Sequence, residues 1–111
     1  MTLPVTLERD VTTDYARLPS EELRDEAIGY VLQLRDKPYK GLPLRSTEHL
    51  GVSDCRKIIF GGTSFRIVYR LIPNEDSPKR VKVIVIARRA DNYVYLEALR
   101  RLGRERFANI S

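Results

Sequence analysis

The chain is poor in the side chains that most often carry metal or covalent chemistry. A single cysteine, Cys55, excludes an intrachain disulfide framework and fits a reducing compartment. Zinc takes several Cys or His ligands, and one cysteine with one histidine cannot supply them, so no metal is expected. His49, between Glu48 and Leu50, reads as a loop residue rather than as part of a nucleophilic triad. No GxxxxGK[ST] phosphate loop is present, and no cofactor is expected. The longest wholly aliphatic run, Val83 to Ala87, is five residues, far below the roughly 20 of a membrane helix. Residues 1–8 have neither a basic n-region nor a long apolar stretch. A cytoplasmic protein without membrane contact is therefore expected.

What remains is the composition of a small folded domain. The 111 residues are 42% hydrophobic and 32% charged, which excludes disorder as the main description. A chain of this size buries roughly two-thirds of its unfolded surface, enough for one core and a single domain over 1–111. Net charge is +5, unevenly divided: residues 1–37 carry 5 basic and 8 acidic groups, whereas residues 38–111 carry 15 and 7. A basic C-terminal portion favours a polyanion, nucleic acid first among them.

Local patterns order the elements. Residues 3–8 alternate weakly, as in a short strand, and residues 10–18 form a marginal helix because Val11, Thr12 and Thr13 are β-branched. Ser20 is a good N-cap, Glu21 and Glu22 follow in the first turn, and Leu23, Ala27, Tyr30, Val31 and Leu34 make one apolar helical face. Lys37-Pro38 ends that helix, and the helical part spans about 10–36. Gly41, Pro43 and Gly51 mark residues 38–53 as an irregular loop. The period then changes to two, with strand-like runs over 55–60, 65–72 and 80–87. Gly61-Gly62-Thr63-Ser64 and the polar segment 73–78 join them into a meander over about 54–88. Asp91 or Asn92 caps a last helix that Gly103 stops, about 91–103. The order β-α-α-β-β-β-α gives an α+β fold, a small antiparallel sheet with helices packed on one face.

Alternation also sorts the charges. Phe65, Ile67, Tyr69 and Leu71 point towards the helices, which leaves Arg66 and Arg70 on the opposite face. Ile58 and Phe60 are core partners, so Cys55, Lys57 and Ile59 share the face of Arg66. Arg88 and Arg89 follow at the end of the third meander strand. Such convergence suits metal-free phosphodiester chemistry, in which cations stabilise a pentacovalent phosphate.

These residues resemble the RelE/ParE superfamily of toxin–antitoxin toxins. The resemblance is carried by Asp54-Cys55-Arg56-Lys57-Ile58, by Phe65 through Leu71, by Ala87-Arg88-Arg89, by Val94-Tyr95 and by Ala98 through Leu102. It covers residues 42–103 and is architectural over residues 1–41. The strand with Lys57, the arginine opening the next strand and the late Val-Tyr are similar to the RelE branch. That resemblance implies the toxin of a type II toxin–antitoxin system, a ribosome-dependent endoribonuclease that cleaves mRNA and inhibits translation. It further implies that Lys57 and Arg66 hold the scissile phosphate, that Arg89 acts on the leaving oxygen, and that Tyr95 is general base for the ribose 2′-hydroxyl or stacks on a base. With them, Arg56, Arg70, Arg88 and Tyr93 are the expected RNA contacts.

One departure is Ile59, where the family pattern has a second lysine. Tyr95 also continues an apolar stripe with Leu99 and Leu102, so spacing alone leaves a core role open. The alternatives are a gyrase inhibitor of the ParE branch, without nuclease activity, and a weakened toxin that binds only its antitoxin. The implied partners are an acidic or amphipathic antitoxin, in a hetero-oligomer with the toxin, together with ribosome and mRNA.

Overall fold

The computed structural model describes residues 2–44 and 54–110, with side chains to residue 104. His49 and most of its loop lie outside the described residues. The elements are β1 (Val5–Leu7), α1 (Val11–Ala16), α2 (Glu21–Gln33), β2 (Leu42–Pro43), β3 (Cys55–Phe60), β4 (Phe65–Ile72), β5 (Arg80–Arg88) and α3 (Tyr93–Ile110), with a 3₁₀ turn at Ala90–Asn92 before α3. No helix is long and apolar enough to cross a membrane among the described residues.

The expected α+β architecture holds, with three corrections. The sheet is mixed rather than antiparallel: its order is β1-β5-β4-β3-β2, with β1 parallel to β5 and the other pairs antiparallel. The helices cover both faces rather than one. Ala27 of α2 and Leu34 at its C-cap, with Val11 of α1, pack on Ile58, Phe60, Ile67, Tyr69 and Leu71. On the other face Val94, Tyr95, Ala98 and Leu102 of α3 pack on Val68, Ile84 and Val85. An apolar Val68 between Arg66 and Arg70 cannot face water along with Ile84 and Val85, and α3 buries all three. Finally, α3 runs through Gly103, because glycine inside a helix costs only about 1 kcal/mol and ion pairs on either side of it hold the turn.

Local chemistry explains the connections. The Ser20 side chain accepts from the Leu23 amide at 3.2 Å and caps α2. Gly61 and Gly62 both have positive φ, 60° and 67°, as the tight β3–β4 turn requires. A Cβ on Gly61 would lie 2.7 Å from Leu23 Cδ2, so glycine here also lets the turn sit against α2. Asp91 and Asn92, expected to cap α3, instead take φ 58° each and swing the chain from β5 into α3. Asp and Asn tolerate this region better than most residues.

The edge of β5 carries the main polar construction. β1 ends at Leu7, leaving the end of β5 paired with β4 alone and open on its other side. There Asp14 of α1 takes over, its Oδ2 accepting from the Ile86 amide at 3.0 Å. Arg101 of α3 reaches past the edge and donates to both oxygens of Asp14, at 2.6 and 2.8 Å, and to the Ile84 carbonyl at 2.9 Å. Ile84 has that carbonyl to offer because β5 bulges there: Val85 pairs with Val68 and Val83 with Tyr69. Glu97 lies 3.0 Å from Arg101 Nε, Glu8 lies 3.7 Å from its Nη1, and Arg104 pairs with Glu8 and Asp10. Burial works against the Arg101 charge, but Asp14 and Glu97 more than reverse it and hold the guanidinium above its ordinary pKa. Glu97 is held below the usual carboxylate range by Arg100 first and by Arg101, despite partial burial.

A second polar anchor lies on the α1/α2 face. The Tyr69 hydroxyl is buried, donates to the Pro38 carbonyl at 2.8 Å and accepts from the Gly41 amide at 2.8 Å. It thereby ties the descending chain after α2 to the middle of β4. Gly41 must be glycine, since a Cβ there would stand 2.7 Å from the Tyr69 ring. Burial pushes the Tyr69 pKa up to about 12. A raised acid favours folding fully below the unfolded value, about 10, and loses that contribution as pH climbs towards 12. Tyr69→Phe should therefore cost about 1–3 kcal/mol at neutral pH, by orphaning a buried amide and carbonyl. In urea unfolding it should also flatten the fall in stability above pH 10 relative to wild type.

Candidate nucleic-acid interface

Strand register fixes where the basic side chains fall. Lys57 faces Val68 across β3 and β4, and Ile59 faces Arg66. Lys57 is thus the diagonal neighbour of both Arg66 and Arg70 on one face of the sheet. Arg66 in turn faces Ala87 of β5. The Arg89 amide donates to the Ser64 carbonyl at 2.8 Å, so the pairing continues past the strand end. By alternation Arg89 then lies on the face of Ala87, diagonal to Arg66. Lys57, Arg66 and Arg89 form an oblique row running from β3 to the end of β5.

Burial grades the row. Lys57 and Arg66 are 5% and 7% exposed, whereas Arg89 is exposed. Arg66 Nη1 donates to the Thr63 and Phe65 carbonyls at 2.8 and 3.0 Å, which aims the guanidinium at the β3–β4 turn. Its Nε is buried without a hydrogen-bond partner, as is that of Arg70. A donor on a buried cation left unmet is costly. The remaining width of Arg70 is held by an ion pair with Asp54.

The other expected contacts separate. Arg56 lies on the opposite face, where it pairs with Glu75 at 2.9 Å, donates to the Gly41 carbonyl at 2.6 Å and stacks on Tyr39. It braces the loops there and is not brought to the row. Arg88 faces Phe65 on the α1/α2 side. Its guanidinium stands 4.1 Å from the centre of the Tyr93 ring, which is 38% exposed. Tyr95 is 2% exposed, packed under α3 with Val68 and Ile84. Tyr93 thus meets solvent, whereas Tyr95 is buried. Burial of Lys57 and Arg66 was not readable from the sequence, because alternation sorts side chains between the faces without saying what covers each face.

Neither a protein-family model nor a curated protein sequence matches the chain. Solved structures do. A mutant E. coli toxin RelE in the free state superposes with a TM-score of 0.66 at 22% identity, over 91% of this chain and 98% of that one. Mutant E. coli RelE in complex with an antitoxin RelBc peptide gives 0.62 at 23% identity, over 88% and 95%. The Mycobacterium tuberculosis toxin–antitoxin complex RelBE2 gives 0.61 at 19% identity, over 80% and 100%. The chain has the RelE toxin fold over nearly its whole length.

Ile59 is 38% exposed directly opposite Arg66, an apolar side chain inside a basic row. On a row that takes a phosphate backbone, Ile59→Lys would tighten binding of single-stranded RNA and steepen its salt dependence by about 0.7 in log–log slope, the increment for one further phosphate neutralised. Filter binding across a salt series measures both.

Proposed function

We propose that this chain is the toxin of a type II toxin–antitoxin pair and acts as a ribosome-dependent, metal-independent mRNA endoribonuclease. The observation that supports the reading most is the oblique row of Lys57, Arg66 and Arg89 on one sheet face. The RelE fold, found in structures of toxins with their antitoxins, supports the partner.

In the proposed reaction the ribose 2′-oxygen attacks the adjacent phosphorus and the P–O5′ bond breaks. The products are a 2′,3′-cyclic phosphate and a 5′-hydroxyl, so one proton leaves the 2′-oxygen and one is delivered to the 5′-oxygen. Lys57 and Arg66 face the non-bridging oxygens, where negative charge grows, and their fixed orientation in a half-dry site strengthens the effect. Arg89, at the open end, stabilises the leaving oxygen. As general base Tyr95 needs the first turn of α3 to lift from Val68 and Ile84.

The same burial of Tyr95 favours a second reading, a gyrase inhibitor with no nuclease activity. Mapping of mRNA 5′ ends after brief induction separates the two. New in-frame ends, lost in Arg66→Ala and Arg89→Ala by 10²-fold or more, are the expected result. Tyr95→Phe in the same experiment assigns the hydroxyl: lost ends with an unchanged Tm place it at the reaction. Growth arrest without new ends in wild type would overturn the nuclease and send the protein to a gyrase assay.

A further inference from the structure

Beside the basic row lies a cavity of about 340 Å³, lined among others by Arg17, Leu18, Phe65, Ile86, Arg88 and Tyr93. The end of α1 forms one side, and the end of β5 with the start of α3 forms the other. Its lining mixes apolar side chains with charged ones, and the Arg88 guanidinium lies flat on the Tyr93 ring within it. Asp14 also lines it, but both its oxygens are engaged by Arg101 and the Ile86 amide, which offset its charge. Two exposed arginines, Arg17 and Arg88, therefore set the sign of the rim. A flat aromatic–guanidinium pair beside apolar side chains, with exposed cations next to it, is the chemistry that takes an unstacked base with its phosphate.

We propose that this cavity binds a nucleobase of the RNA, that of a nucleotide next to the phosphate held by the basic row, with Arg17 taking the flanking phosphate. The inference rests on the nuclease reading for its substrate and adds to it a site on the far side of β5. The connection is short: Ala87, which faces Arg66, also lines the cavity, and Arg88 and Arg89 are consecutive. An RNA strand crossing the end of β5 passes from the row on one face to the cavity on the other. A base seated there fixes the register of the strand at the cut.

Titration of the full chain with each of the four ribonucleoside 5′-monophosphates, followed by NMR, tests the cavity without any cleavage. The expected result is shifts concentrated at Leu18, Phe65, Ile86 and Tyr93, with affinity falling about tenfold in Tyr93→Ala and also falling in Arg17→Glu. Arg17 is exposed at the end of α1, so its variant keeps the fold and guards against a misfolded Tyr93→Ala. Shifts confined to Lys57, Arg66 and Arg89, or none at millimolar nucleotide, would overturn the proposal. Cavity binding by a wild-type protein that cuts no mRNA would leave this site standing while removing the nuclease reading.

Discussion

The structure depends on one buried charge cluster at the open edge of β5. Asp14 stands in for a missing strand at the Ile86 amide, and Arg101 holds Asp14 and the Ile84 carbonyl together. Asp14 belongs to a helix on one face of the sheet and Arg101 to a helix on the other, so the pair fastens three layers at a single point. A buried pair of this kind need not exceed an apolar replacement in stability, but losing one member leaves the other charge stranded. That asymmetry makes the cluster a constraint on where α3 can lie more than a source of net stability.

The candidate site inherits this constraint. Lys57 and Arg66 are buried on the face that α3 covers, and Tyr95 is sealed beneath the same helix. Arg101 sits two turns beyond Tyr95, so the ion cluster holds the part of α3 that keeps Tyr95 in the core. At the other end of the cluster, neutralising Asp14 leaves Arg17 and Arg88 to give the neighbouring cavity its cationic rim. Sheet edge, basic row and cavity are thus coupled through one carboxylate.

Much of the fold was legible because local chemistry agreed with it. The Ser20 cap and the apolar spacing from Leu23 to Leu34 placed α2, and the change of period at Cys55 with the double glycine placed the meander. Alternation alone brought Lys57 and Arg66 to one face, and the register agrees. What escaped was long-range. Nothing in spacing links Asp14 to Arg101, 87 residues apart. The second layer was missed although Val68, between Arg66 and Arg70, signalled a covered face. The burial of Tyr95 and the exposure of Tyr93 depend on the left-handed pair at Asp91 and Asn92, which sets how the chain enters α3.

The claim that Asp14 and Arg101 act as one fastening is tested most directly by a double-mutant cycle, with Asp14→Ala, Arg101→Ala and the double variant unfolded in urea. Each single change should cost about 3–5 kcal/mol, and the double variant little more than either. Additive losses, or single losses below about 1 kcal/mol, would contradict the account and leave α3 held by its apolar face alone.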